Sequence, residues 1–585
     1  MRPRFAHLAR NPWAWLGFGL LAVYTRGLFL DVMDVDASQY ASISMEMLQS
    51  SNWLQVQHHH ADYLDKPPLL FWSSALSFAL FGLHNWAYKL PSFLGALAGV
   101  YAIYRFCLLF YSPKTAQSAA FVLAASLGLL LMCNDVRTDT LLMGTTACAI
   151  WLLAALYETA HPRLPGVLGA GFFVGLAMLA KGPIGLVVPV FAVGTHLALR
   201  RDWERLLLGR WLTVLTVAAA VLAPMCWGLY HQFDLHPEKI VNGRTDVSGL
   251  YFYFWEQSFG RITGENAWKN DTSPFYFLHV YLWAFLPWSV LLIGALWRRW
   301  GDLFRQKLRL PAGDEAFSVG AFVLTFVALS LSKYKLPHYI FVTLPWAAVL
   351  VARWLHGERS GTLEGYVGAT LAVAPEAGDR VTARAASTAI GFAVVLLGVV
   401  AVLLLGFVFP TANVLTWATA LGLYGGAVFF LFLKKKPTEQ VDRLVQGGVL
   451  AFLSAAFVLN AHFYPNLLPF QSTSAVPRYA QENGIPPAKT GLFNRHGHAL
   501  DFYSQAVLKQ VDTPDQARQT AVALGGLWLY TDVQGLLRLD SAGVRYTPVA
   551  TFDHFQVALL KPAFLNPATR REALQPVFLI KIDGR

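Results

Sequence analysis

Several short stretches of this sequence set carboxylates beside cations. The first runs from Asp31, Asp34 and Asp36 through Tyr40 to Asp62, Tyr63, Asp65 and Lys66. The second, around V-R-T-D at 136–139, holds Asp135, Arg137 and Asp139. Lys181 stands just before Gly182-Pro183, and a long polar stretch carries Glu256, Gln257, Arg261 and Glu265. S-K-Y-K-L-P-H-Y adds Lys333, Lys335, His338 and Tyr339. Such sets suit one kind of chemistry. A carboxylate can take a proton from an acceptor hydroxyl or amine. Lysine and arginine neutralise a phosphate leaving group, and tyrosines can hydrogen-bond a phosphate or a sugar. The sequence contains no GxxxxGK[ST], GxSxG or HExxH, so nucleotide hydrolysis and the common hydrolase routes have no support.

The elements that must position these residues are apolar. Of the 585 residues, 55% are hydrophobic and 14% charged, against roughly 25% charged in soluble domains. The mean hydropathy is +0.43. Together these exclude a disordered chain, a disulfide-stapled scaffold and a soluble nucleic-acid binder, and predict a multi-span membrane protein. The net charge of +11 comes in short clusters between apolar runs, as in positive-inside loops. Cys107, Cys133, Cys148 and Cys226 all fall in or beside apolar segments and read as small buried hydrophobes. The basic N-terminus followed by a long apolar run, with no A-x-A site after it, reads as an uncleaved first span.

With about 20 apolar residues needed per span, about thirteen spans are predicted, the first at 13–31 and the last at 446–464. The run 67–84 is short. If it does not span, the basic loops at 200–210, 298–314 and 434–445 all share the side of the N-terminus, the cytoplasm. It is therefore read as interfacial or re-entrant. Every polar segment above then falls on the outer face, in loops that include 31–89 and 231–275. The transmembrane part is 1–465. The part 466–585 becomes a small extracytoplasmic α/β domain, with strands expected at 490–493, 507–510, 527–530 and 555–560 and helices at 514–524 and 533–540. With no nucleotide site outside, an activated sugar there would have to be lipid-linked.

Each residue also has a purely structural reading. Asp36 in D-A-S-Q could cap a helix with Gln39 as reciprocal partner, and Asp139 could cap the next one. Asp31 and Asp34 read as solvated loop residues. Lys181, Lys333 and Lys335 could snorkel to the interface. His58, His59 and His60 make a weak metal tract, because adjacent histidines do not share a helix face.

D-A-S-Q-Y-A-S-I-S-M-E-M at 36–47, Y-L-D-K-P-P at 63–68, V-R-T-D, K-G-P at 181–183, F-W-E-Q-S-F-G-R at 254–261 and K-Y-K-L-P-H-Y at 333–339 occur in one order. Together they resemble the GT-C lipid-linked glycosyltransferases, the aminoarabinose transferase type within the protein O-mannosyltransferase superfamily (glycosyltransferase family 39). The resemblance covers roughly residues 10–465. It implies a thirteen-span fold with an external C-terminal domain in a bacterial inner membrane. It also implies a polyprenyl-phosphate sugar donor, a glycolipid or protein acceptor, and inversion at the sugar carbon. By its motifs the catalytic carboxylates are Asp36 and Asp139. Donor phosphate and substrate fall to Tyr40, Tyr63, Lys66, Lys181, Glu256, Arg261, Lys333, Lys335 and Tyr339. A divalent metal on Asp65 and His462 is also implied; a nucleotide, an organic cofactor or a nucleic-acid partner is not. The sequence departs from the family at Ala37, Gln39, Asp65 and Gln257, which leaves the sugar open. A polytopic transporter or flippase is the competing expectation, but charges gathered at one face and the lack of a repeat argue against it.

Overall fold

The computed structural model describes residues 11–159, 163–207, 209–241, 243–260, 270, 272–358, 377–432 and 439–584. Helices dominate. Among the described residues, eight are long and apolar enough to cross a membrane, or ten when each of two bent pairs counts as one span. The bent pairs are Pro113–Ala124 with Leu127–Asn134 and Tyr276–Ala284 with Ser289–Arg305, bent by 50° and 119°. The chain is a multi-pass α-helical membrane protein. Of the thirteen expected spans, Pro12–Leu28 and Ile184–Arg200 form helices of 17 residues, and Phe317–Leu331 is another short apolar helix. Among the described residues, length and apolarity therefore establish fewer crossings than the thirteen expected from the apolar runs. The run after Pro67-Pro68 becomes the helix Leu69–Phe81 of 13 residues. At about 1.5 Å per residue it is roughly 20 Å long, short of a hydrocarbon core of about 30 Å.

The helix Thr138–Glu158 sits at the centre, buried along most of its length. It packs against Asn85–Phe110 with backbones almost touching. A Cβ on Gly144 would lie 2.1 Å from the Gly95 carbonyl oxygen, and one on Gly99 would lie 3.2 Å from the Gly144 Cα. Small residues permit such contact between helices where no hydrophobic force draws them together. The contact fixes the position of Asp139, the second residue of the same helix. Lys89 donates to the carbonyls of Leu30 (2.9 Å) and Gly27 (3.3 Å), closing the end of Pro12–Leu28 with a cation. From that end the chain runs directly to Asp36.

The charged ends separate. Asp139, Lys181 and Tyr339 lie at one end of their helices, and Glu158, Arg200 and Arg353 at the other. At the second end Asp314 is buried between Arg299 and Arg353, 2.9 Å from each. Nearby, Tyr111 donates to Glu315 at 2.5 Å.

Beyond Phe470 the chain forms a small α/β unit. Two strands precede it in the chain, the hairpin of β1 (Gln57–His58) and β2 (Ala61–Asp62). The unit itself contains β3 (Thr490–Phe493), β4 (Lys509–Val511), β5 (Leu527–Asp532), β6 (Thr547–His554) and β7 (Gln575–Ile582), in spatial order β4-β3-β5-β7-β6. The first three pair in parallel and the last two antiparallel. The expected helices appear at Pro514–Leu524 and Val533–Ser541. The expected strand at 555–560 does not. Phe555 instead stacks on Phe564 at 3.8 Å, in an apolar cluster with Leu30, Phe409 and Phe463 of the helical part.

Asp31 and Asp34, expected to be solvated, tie the tail down. Asp31 pairs with Arg478 at 2.5 Å. Asp34 accepts from Ser38, Thr473 and the Ala499 N–H, and its own N–H donates to Gln471 at 2.9 Å.

Candidate active site

At the end of the bundle beneath the tail is a polar cavity of about 260 Å³. Asp36, Tyr40, Tyr63, Asp65, Lys66, Asp139, Lys181 and Tyr339 all line it, so eight of the residues singled out in sequence meet in one place. They arrive from five parts of the chain: the helix Asp36–Ser50, the loop that holds Tyr63, Asp65 and Lys66, the start of Thr138–Glu158, the end of Leu164–Lys181, and the turn at Tyr339. Asp36 opens the helix Asp36–Ser50, whose first turn has no side-chain cap bond. Asp36 is thus not a cap: its Oδ2 accepts from Arg137 Nη1 at 2.6 Å, while Oδ1 has no partner among the described residues. Asp139 does not cap its helix either. It is 3% exposed and pairs with Lys181. Lys181 ends the helix Leu164–Lys181, and the turn out of it requires Gly182, at φ +82°. Its Nζ lies 4.0 Å from the centre of the Tyr339 ring.

Two residues without an assigned role join these pairs. Arg137 also grips Asp135 through Nη2 at 3.0 Å and reaches His338 Nδ1 at 3.3 Å. Because arginine only donates, Nδ1 is the acceptor, and His338 carries its proton on Nε2, 3.8 Å from Asp139 Oδ2. Asp36, Arg137, His338, Asp139 and Lys181 therefore form one chain, two carboxylate–cation pairs joined through a neutral imidazole. Burial works against the Arg137 cation, but Asp135 and then Asp36 more than offset it and hold its pKa above the ordinary value. Tyr40 is pushed well up, by burial first and then by Tyr63 and Asp36, so it remains a neutral hydrogen-bonding phenol. Arg137 and His338 were visible in V-R-T-D and L-P-H-Y. Nothing in those spacings showed that they would face each other across 201 positions.

The remaining sequence candidates lie elsewhere. Glu256 pairs with Arg244 at 2.8 Å, while its neighbour Gln257 lines an adjoining apolar chamber and donates to the Asp65 carbonyl at 2.5 Å. Lys335 is buried and donates to Thr272 O at 3.1 Å. Lys333 is exposed. Both belong to the turn beside the cavity and not to its wall. Arg261 and Glu265 fall outside the described residues. The Asp65–His462 pair does not fit a shared metal: His462 Nε2 lies 2.7 Å from the Phe409 carbonyl and Nδ1 faces Asn466, outside the lining that holds Asp65.

Among the described residues, the group that could hold a metal is His58, His59 and His498. Burial, then His59 and His498, lowers His58 to about 3. Burial also lowers His498. The bond to Asp501 raises His59.

A second chamber lies against the first and shares part of its wall. It is apolar, about 110 Å³, and runs between Pro183–Phe191 and Thr325–Ser332. Lys66, Lys181 and Tyr339 line both chambers. A polar pocket and an apolar one thus meet at two lysines and a tyrosine.

Residues 65–227 match the family described as dolichyl-phosphate-mannose-protein mannosyltransferase. The chain is 27% identical over 325 residues to an undecaprenyl phosphate-α-4-amino-4-deoxy-L-arabinose arabinosyl transferase of Proteus mirabilis, 54% of each chain. It is 27% identical over 427 residues to the like-named protein of Pectobacterium carotovorum, 70% of this chain and 69% of that one. The chain spans about half the length of the first curated relatives it matches. In fold it is similar to the crystal structure of ArnT from Cupriavidus metallidurans bound to undecaprenyl phosphate, with a TM-score of 0.67, 18% identity and 97% of both chains covered. With residues from five of the six motifs gathered in one cavity and this likeness over nearly the whole length, the chain has the fold of ArnT.

Proposed function

We propose that the protein is a glycosyltransferase that moves a sugar from a polyprenyl-phosphate donor to a glycolipid or protein acceptor at the extracytoplasmic face, with inversion. The observation that carries this is the joining of the two chambers at Lys66, Lys181 and Tyr339. A single-chain isoprenoid phosphate has that shape and polarity: an apolar tail, one phosphate, and a polar group beyond it. The names of the relatives, which refer to an undecaprenyl-phosphate sugar, support the same donor class.

In this reading the tail lies along Ile184–Phe191, and the phosphate rests between the two lysines with the Tyr339 hydroxyl beside it. The sugar points toward Asp36. Asp36 Oδ1 takes the proton of the acceptor hydroxyl or amine as that atom attacks the anomeric carbon. The bond from that carbon to the phosphate oxygen breaks, and polyprenyl phosphate leaves with its charge held by Lys66 and Lys181. One displacement from the opposite face inverts the carbon. Arg137 holds Asp36 in place through its bond to Oδ2, and His338 and Asp139 fix Lys181. The basic clusters at the other end of the helices support a cytoplasmic N-terminus and an external tail, in the inner membrane of a bacterium. The transferase domain is residues 1–465, with the tail, 466–585, covering its cavity.

The test uses protein in lipid nanodiscs, a panel of undecaprenyl-phosphate sugars, and an extract of acceptors. Release of undecaprenyl phosphate is followed for wild type and Asp36→Asn. The proposal expects one donor to turn over and the variant to lose about 100-fold or more, within the range of removing a general base. Equal turnover in the variant overturns the role of Asp36. Flipping of the lipid without sugar release overturns the transferase reading.

A further inference from the structure

We propose that His58, His59 and His498 form a metal site for Zn²⁺ or a similar divalent transition ion, which joins the β1–β2 hairpin to the C-terminal domain at the rim of the cavity. One ring nitrogen from each histidine lies within 4.8 Å of the other two. The rings are close, with centres 4.2 Å apart for His58–His59 and 4.8 Å for His58–His498. Around a tetrahedral Zn²⁺ with Zn–N of about 2.0 Å, ligand nitrogens sit roughly 3.3 Å apart, so small ring rotations close the site.

Two features mark these rings as ligands in waiting. Nε2 of His58 and Nδ1 of His498 are both buried and have no hydrogen-bond partner among the described residues. A buried imidazole nitrogen without a partner is costly, and a metal ion satisfies it. His59 has the outer support that ligating histidines usually have. Its Nε2 lies 2.6 Å from Asp501 Oδ2, and Asp501 is fully buried and fixed by the Leu508 N–H at 2.9 Å. With Nε2 donating, Nδ1 is the lone pair His59 has to offer.

The hairpin is shaped to aim the rings. His59 and His60 occupy its two turn positions with φ of 52° and 60°, a left-handed conformation uncommon among residues other than Gly but one that His takes more readily than most. The buried Glu46 holds that turn by accepting both backbone N–H groups, at 2.9 and 3.2 Å. In a tight turn, unlike a helix, neighbouring side chains can converge, and the third ligand comes from a segment 439 positions away. Three neutral nitrogens select Zn²⁺ and its neighbours over Mg²⁺ or Ca²⁺. They leave a fourth position for water or a ligand group beside the cavity that His498 also lines. This ligand set is separate from Asp65 and His462.

The test uses the full-length protein in nanodiscs, stripped by chelator and titrated with CoCl₂, then with ZnCl₂. Expected is one Co²⁺ per chain with the visible absorption of a four-coordinate ion, displaced by Zn²⁺. His58→Ala and His498→Ala should abolish it, and Asp501→Asn should weaken it by about 10- to 100-fold. X-ray absorption of the zinc-loaded wild type needs no variant and should show three nitrogen neighbours near about 2.0 Å. Absence of bound Co²⁺, full affinity in both histidine variants, loss through His462→Ala instead, or an all-oxygen shell would each overturn the proposal.

Discussion

Replacing Lys181 with methionine removes one cation from the junction of the two chambers and keeps the length and apolar stem of the side chain. Two costs follow, and they can be separated. The first falls on the ligand. A charge-assisted hydrogen bond to a phosphate contributes about 1.5–3 kcal/mol, so lipid-phosphate affinity should fall roughly 10- to 150-fold. The second falls on the protein. Asp139, whose side chain is 4% exposed, loses its partner, and breaking a buried pair costs about 3–5 kcal/mol. His338 Nε2, 3.8 Å from Asp139, offsets part of this. The double variant Asp139→Asn/Lys181→Met leaves no uncompensated charge. It should regain much of the stability and none of the affinity. Native mass spectrometry with undecaprenyl phosphate reads the first cost and thermal unfolding reads the second. Wild-type affinity in Lys181→Met would refute the reasoning. So would affinity that returns in the double variant, because Lys181 would then act only by supporting Asp139.

Other outcomes follow from the same structure. Asp314→Ala leaves Arg299 and Arg353 buried without their shared carboxylate and should cost about 3–5 kcal/mol of stability, read by thermal unfolding, with donor binding unchanged in the protein that remains folded. Gly144→Leu drives a side chain into the Gly95 carbonyl; overpacking of about 1–3 kcal/mol should accompany displaced Asp139 and lost turnover, whereas Gly391→Leu, which meets nothing within 4 Å, should leave both intact. His554, in the tail, is held down at about 4, chiefly by burial and then by Arg495, against an ordinary 6.5. A group depressed on folding contributes stability that is complete above pH 6.5 and lost as the pH falls toward 4, about 2 kcal/mol by pH 5. His554→Gln should remove that part of the acid sensitivity in unfolding measured between pH 7 and 5, and an unchanged pH slope would disprove it.

Much of the site was legible because polar side chains are conspicuous in an apolar chain. Asp36, Tyr40, Lys66, Asp139 and Lys181 stood out for that reason, and all line the cavity. The failures have local causes. Lys333 and Lys335 are two apart in an irregular turn, and sequence does not tell which way such a turn faces; one is exposed and the other is tied to Thr272. Glu256 and Gln257 differ by one position, and the helical twist brings the amide and not the acid to the wall of the apolar chamber. The histidine tract was judged by helix geometry, whereas it forms a hairpin turn and its third member lies in the tail. In the tail, 555–560 looked like a strand because it is apolar, but only Phe555 and Val557 are buried, against the helical part, while Leu559 and Leu560 stay exposed. The true strands β6 and β7 carry less regular patterns, with a bulge between Pro548 and Ala550.

The central claim is that the polar cavity and the apolar groove hold one lipid-phosphate molecule. A cryo-EM structure of the protein in nanodiscs with undecaprenyl phosphate tests it most directly. The account predicts phosphate density between Lys66, Lys181 and Tyr339, with the isoprenoid chain running along Ile184–Phe191. Lipid phosphate bound elsewhere, with Lys66 and Lys181 untouched and the groove empty, would contradict it.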